Sequence, residues 1–121
     1  MAKHLRRVGF FVEFGFAGAN AGSLKAAVQD AAGYDKAAVA GYLRAAPVLA
    51  VAPGVLRDVF DPDGSAVMTR SIKTDGAYEW PAPLAFYVQR YNVALPADFL
   101  SHIAARAYRV PTREEIGLPG A

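Results

Sequence analysis

An Asp75-Gly76 pair separates two short β-prone runs, residues 71–74 (SIKT) and 77–80 (AYEW), and no other feature constrains the fold as strongly. A type I′ turn needs positive φ at both central positions, which Asp-Gly tolerates, so the pattern predicts a β-hairpin with these two residues at its tip. Pro81 lacks a backbone donor and suits the first turn of a helix, and Leu84, Tyr87, Val88 and Tyr91 follow at the spacing of one helical face. Asn92 ends that helix, and residues 93–95 run extended into Pro96. A second helix starts around Pro96-Ala97-Asp98 and carries Phe99, Leu100, Ile103, Ala104 and Ala107 on one side.

Upstream, residues 8–16 (VGFFVEFGF) alternate Phe10, Val12 and Phe14 with Phe11, Glu13 and Gly15, which predicts a central strand. Ser23 is a natural N-cap for a helix bearing Leu24, Ala27, Val28 and Ala31, which Gly33 stops. Asp35 caps another bearing Val39, Tyr42, Leu43 and Ala46, closed by Pro47. Residues 47–52 (PVLAVA) read as a buried strand, Pro53-Gly54 as a turn, and residues 55–60 as a further β-prone run ended by Asp61-Pro62-Asp63-Gly64. Residues 66–68 extend the first strand of the hairpin. The expected fold is α+β, a mostly antiparallel sheet covered by helices in the order β-α-α-β-(β)-β-β-α-α. It forms a single domain over residues 1–121, with 111–121 too poor in apolar surface to be more than a loosely held tail.

With 121 residues, 54% hydrophobic and 20% charged, the chain has enough apolar material for one core and is not disordered. Cysteine is absent, which excludes disulfides and thiolate metal sites and fits a reducing cytosol. No apolar run approaches the roughly 20 residues of a membrane span. Residues 1–7 (MAKHLRR) lead into a segment carrying Glu13, unlike a cleaved signal peptide. The expectation is a cytoplasmic protein without membrane contact. A net charge of +2 is too small for a nucleic-acid-binding surface.

Few residues suggest chemistry. The loop Gly15 to Ser23 lies between an expected strand and a helix start, where backbone N–H groups hold anions, yet it lacks the lysine of a P-loop and dinucleotide spacing. His4 and His102 are the only histidines and have no metal-type partner at helical spacing. Ser23, Ser65, Ser71 and Ser101 fit no nucleophile elbow. Asp58, Asp61, Asp63 and Asp75 read as turn residues, since the later ligands of a calcium loop are missing. Glu13, the lone charge of an aromatic run, must face solvent or meet Arg6, Arg7 or Arg44. Trp80, Tyr87 and Tyr91 are expected in the core.

The series Thr74-Asp75-Gly76-x-x-x-Trp80-Pro81-x-x-Leu84-x-x-Tyr87-Val88-x-x-Tyr91-x-Val93-x-Leu95-Pro96-x-x-Phe99 resembles a pattern of small bacterial proteins of the actinobacterial type. The preceding Ala52-Pro53-Gly54-Val55-x-x-Asp58-Val59 is similar as well. The likeness spans about residues 42–104, with Tyr78 where a second tryptophan is expected, and does not extend to the N-terminal third. It implies a toxin-immunity protein, and no catalytic residue comes with it.

The expected function is therefore neutralisation of a cognate toxin domain by direct binding and occlusion, with no cofactor, metal or chemistry of its own. Arg6, Arg7, Arg57, Arg70, Lys73, Tyr78 and Arg90 are the interface-favoured residue types. The basic balance points to an acidic or mixed surface on the partner. Two alternatives stand beside it: a small anion- or nucleotide-binding protein or enzyme using the Gly15 to Ser23 loop, and a structural homodimer paired through a sheet edge.

Overall fold

A computed structural model of the chain describes residues 5–118. Its strands are β1 (Arg6–Arg7), β2 (Val48–Arg57), β3 (Val67–Thr74) and β4 (Tyr78–Pro81). Its helices are α1 (Leu24–Ala27), α2 (Lys36–Ala45), α3 (Leu84–Arg90), α4 (Ala97–Ala105) and α5 (Arg113–Ile116), with a 3₁₀ turn at Val12–Phe14. The architecture is α+β. One mixed sheet has the order β1-β4-β3-β2, antiparallel except where β1 runs parallel to β4.

The hairpin forms where Asp75-Gly76 places it, with Lys73 opposite Trp80 and Thr74 opposite Glu79. Its tip is wider than the type I′ expectation. Residues 75–78 lie between the last β3–β4 pairs, and of Asp75 and Gly76 only Gly76 has positive φ, at 93°. The side chain of Asp75 replaces the missing backbone twist: its Oδ1 accepts from the N–H groups of Ala77 at 3.0 Å and Tyr78 at 2.8 Å. Thr74 Oγ1 completes the turn by accepting from Gly76 N and donating to Tyr78 O.

Three expected elements are corrected. Residues 8–16 are not a central strand: only Arg6–Arg7 pairs, at the sheet edge, and the chain then coils through Gly9 (φ 74°) and Gly15 (φ 73°). Coiling buries Phe10, Phe11, Phe14 and Phe16 together, which strict alternation would forbid. A Cβ at Gly9 would meet Leu84 Cδ2 at 2.7 Å, so the segment crosses the start of α3 with no room for a side chain. The Ser23 helix lasts one turn because Val28 leaves it to bridge Val93, with Gln29 N donating to Asn92 O and Ala94 N to Ala27 O. Pro53-Gly54 is no turn but a bulge inside a continuous β2, between Val51 opposite Ser71 and Val55 opposite Thr69. Proline is tolerated there because β2 is an edge strand.

The caps are as expected: Ser23 accepts from Ala26 N and Asp35 from Ala38 N. Pro83, rather than Pro81, precedes α3, and Pro81 ends β4. Trp80, fully buried, contacts the rings of Tyr42 and Phe99 and donates Nε1–H to Leu43 O at 3.3 Å. Tyr87 is fully buried against Phe14, and Tyr91 is half-buried over Phe60.

At the end of α4, Tyr108 N donates to Ile103 O and Ala107 N to Ala104 O, the bond pair of a Schellman cap. Such caps favour glycine, yet Ala107 (φ 54°) and Tyr108 (φ 60°) both sit in the left-handed region. Over residues 111–118 the chain is held more firmly than its composition suggests. Thr112 and Glu115 form a capping box, Arg113 donates to Val48 O on β2, and Ile116 lies over Gly76.

Two substitutions test this architecture. Gly76→Val forces a β-branched residue to φ 93° and should cost about 1–3 kcal/mol; an unchanged urea midpoint would refute the turn geometry. Ala107→Gly should stabilise the chain by about 0.5–1 kcal/mol, the left-handed strain of alanine exceeding the entropy cost of glycine. A lower midpoint for that variant would contradict the strained cap.

Candidate functional site

Polar interactions converge on Asp75, a carboxylate with no exposed side-chain surface. Its Oδ1 accepts the two turn N–H groups, and its Oδ2 accepts the Tyr42 hydroxyl at 2.6 Å and the His102 Nε2–H at 2.8 Å. Helices α2 and α4 are thus tied to the hairpin tip through one side chain. Burial alone would push the Asp75 carboxyl up, but the donors from Tyr42, Tyr78, Ala77 and His102 outweigh it and hold it below the usual range. Burial, then the Asp75 carboxylate, pushes the Tyr42 hydroxyl up. With four donors in place, Asp75 is saturated: the pair it forms with His102 resembles a catalytic dyad in composition, but the carboxylate has no lone pair left for a substrate.

Beside this group lies a cavity of about 850 Å³. Its floor is the turn Asp75-Gly76-Ala77, and its walls include Leu49, Pro111, Ile116 and Leu118. Arg106 and Arg109 also line it. Arg106 Nη1 donates to the Asp75 carbonyl at 3.1 Å, and Arg109 pairs with Glu115 at 3.1 Å.

The residues expected at a partner surface do not form one patch. Arg6 donates to the Tyr78 hydroxyl, which donates to Asp98, and Tyr78 itself is only 5% exposed. Arg7 lies over Phe10 and donates to Ala17 O and Gly18 O. Arg70 donates to Pro53 O and Gly15 O and covers Phe16. Lys73 donates to Arg44 O, and Arg90 lies over Phe86 on α3. Arg57, at the end of β2, reaches Gly64 O at 3.4 Å. Arg57, Arg70 and Lys73 share the β2–β3 ribbon, whereas Arg6, Arg7 and Arg90 lie elsewhere.

The Gly15 to Ser23 loop has no vacant anion site at the start of α1. Glu13 fills that place: it accepts from Leu24 N at 2.6 Å, Lys25 N at 3.1 Å and Ser23 Oγ at 2.8 Å. Partial burial opposes its ionisation, but these donors outweigh burial and lower its pKa. The lone acid of the aromatic run therefore meets neither solvent alone nor an arginine, but the amides that the anion alternative assigned to a ligand.

Sequence reasoning missed a different surface. Residues opposite one another in an antiparallel ladder share a face. Val51 with Ser71, Val55 with Thr69 and Arg57 with Val67 therefore line one side of the ribbon, while Leu56, Met68 and Ile72 turn to the core on the other. Val51 is 79%, Val55 62% and Val67 51% exposed. The signal in the sequence was the very apolarity that suggested burial. Among the described residues no group of His, Asp and Glu is placed to hold a metal, and no helix is long and apolar enough to cross a membrane.

Compared with protein-family models, curated proteins and solved structures, the chain matches none.

Acid should expose the role of Asp75. Its pKa is lowered on folding, so its stabilisation is complete above the unfolded value near ~3.9 and is lost as pH falls through the folded value. Asp75→Asn should lose about 2–3 kcal/mol at pH 6, with the gap to the parent protein closing in more acid solution. Urea titrations across the acid range check this, and a gap independent of pH would contradict it.

Proposed function

We propose that this chain works by binding another protein, and that the uncovered face of the β2–β3 ribbon is the surface it uses. One observation carries this reading: Val51, Val55 and Val67 stand together on one exposed face at the free edge of the sheet. Contiguous exposed apolar surface favours a protein partner, through side-chain burial. A shallow groove of about 290 Å³ continues the surface toward α3, lined by Thr69, Lys73 and Phe86.

Charge narrows the partner. With Arg70 turned to the other side over Phe16, the face carries Arg57 and Lys73 and no acidic residue of β2 or β3, which favours an acidic or mixed surface opposite. On the resemblance given above, the partner is a toxin domain, and the protein acts as its immunity protein by occlusion. A second copy of this chain is the lesser reading, because Pro53 and the bulge interrupt the hydrogen-bonding edge that self-pairing requires.

An inhibitory complex of this kind buries on the order of 1,600 Å². Co-expression with a toxin-domain product of the adjacent gene should give a stable complex and rescue growth. Val51→Asp and Val55→Asp, both at exposed positions, should leave the thermal melt near that of the parent while weakening the complex by about 30-fold or more. Undiminished binding by both variants would move the interface off the ribbon, and no rescue with the parent chain would end the immunity reading.

A further inference from the structure

The cavity between the hairpin tip and the C-terminal helix has no part in partner binding through the ribbon, and its chemistry differs. We infer that it is a binding site for a small monoanionic amphiphile, an apolar body ending in a carboxylate.

Its volume of about 850 Å³ falls within the range of small-molecule sites, roughly 300–1,000 Å³, and its lining joins an apolar wall to a charged one. Leu49, Pro111, Ile116 and Leu118 supply the apolar wall. Arg106 supplies the charge. A guanidinium carries five N–H donors in a rigid fork suited to a carboxylate; Arg106 uses one on the Asp75 carbonyl and lies beside the Tyr42 hydroxyl, which leaves donors of the fork for a ligand.

Hydrogen-bonding capacity rather than net charge selects a carboxylate, since Arg106, Arg109, Asp75 and Glu115 balance one another. Arg109 is engaged by Glu115 and both Asp75 oxygens by their own donors, which leaves Arg106 as the lining cation whose guanidinium meets no carboxylate oxygen among the described lining residues. A phosphate dianion would need more positive charge than this wall offers, and an uncharged lipid would leave the Arg106 fork unused.

The backbone supplies an independent observation. Ala107 and Tyr108 are both left-handed, and they are the two residues between Arg106 and Arg109. The strained reversal turns the chain at the end of α4 so that both arginines line one cavity and the tail becomes its far wall. Strain of this kind concentrates at ligand sites, where surrounding structure holds it in place.

Isothermal titration with decanoate, 1-decanol and acetate on the full chain tests the assignment. Decanoate should bind saturably at one site per chain, 1-decanol about 10–100-fold more weakly for want of the charged contact, and acetate not measurably. Arg106→Gln should weaken decanoate by a similar factor. Ile116→Trp, which fills the cavity and leaves Arg106 in place, should abolish binding while the thermal melt of the free protein stays cooperative. If Arg106→Gln does not fold, the decanoate to decanol ratio and Ile116→Trp decide the matter. No saturable binding, several decanoates per chain, equal affinity for decanol, or full affinity in the cavity-filled variant would each overturn the site.

Discussion

The buried carboxylate of Asp75 is the constraint on which the rest of the domain depends. An ionised acid without exposed surface is tolerable only if donors surround it, and these come from three places: its own turn, Tyr42 on α2 and His102 on α4. The hairpin cannot move relative to either helix without leaving a charge unpaired. Trp80, two residues beyond Tyr78, then fits between the same two helices, against Tyr42 and Phe99. The polar knot sets the angle of the hairpin, and the aromatic layer beneath it fills the space so defined.

How much of this was legible depended on whether a residue's role was local. Ser23 and Asp35 cap the helices they precede because capping is a matter of three residues. The stripe Leu84, Tyr87 and Val88 buries as its spacing implies, and Trp80 with it. Residues 8–16 misled because alternation alone cannot distinguish a strand from a coil that buries every phenylalanine, and the glycines that decide it look like permissible strand residues. Asp75 looked like a turn residue and is one. Its second role needed Tyr42 and His102, 33 and 27 positions away, whose arrival no local pattern announces.

The candidate sites divide along the same line. Glu13 was visible as an anomaly, but two of the three groups that donate to it are backbone amides, which have no letter in a sequence. The apolar run of β2 read as buried because hydrophobic strands commonly are, whereas here the sheet ends with it. The cavity by Arg106 was illegible for a third reason: it exists only because two left-handed residues without glycine turn the tail back over the hairpin.

The parallel pairing of β1 with β4 bears on how the chain is made. Arg6 N bonds to Ala77 O and Val8 N to Glu79 O, contacts that join the first described residues to the middle of the sequence. On the ribosome, the N-terminal segment with its four phenylalanines emerges early and has no sheet to join until β4 follows. Closing so long a loop is slow relative to local helix formation. The nascent chain therefore carries an uncovered aromatic segment until β4 has been made, a vulnerability to aggregation that the finished fold removes from those phenylalanines.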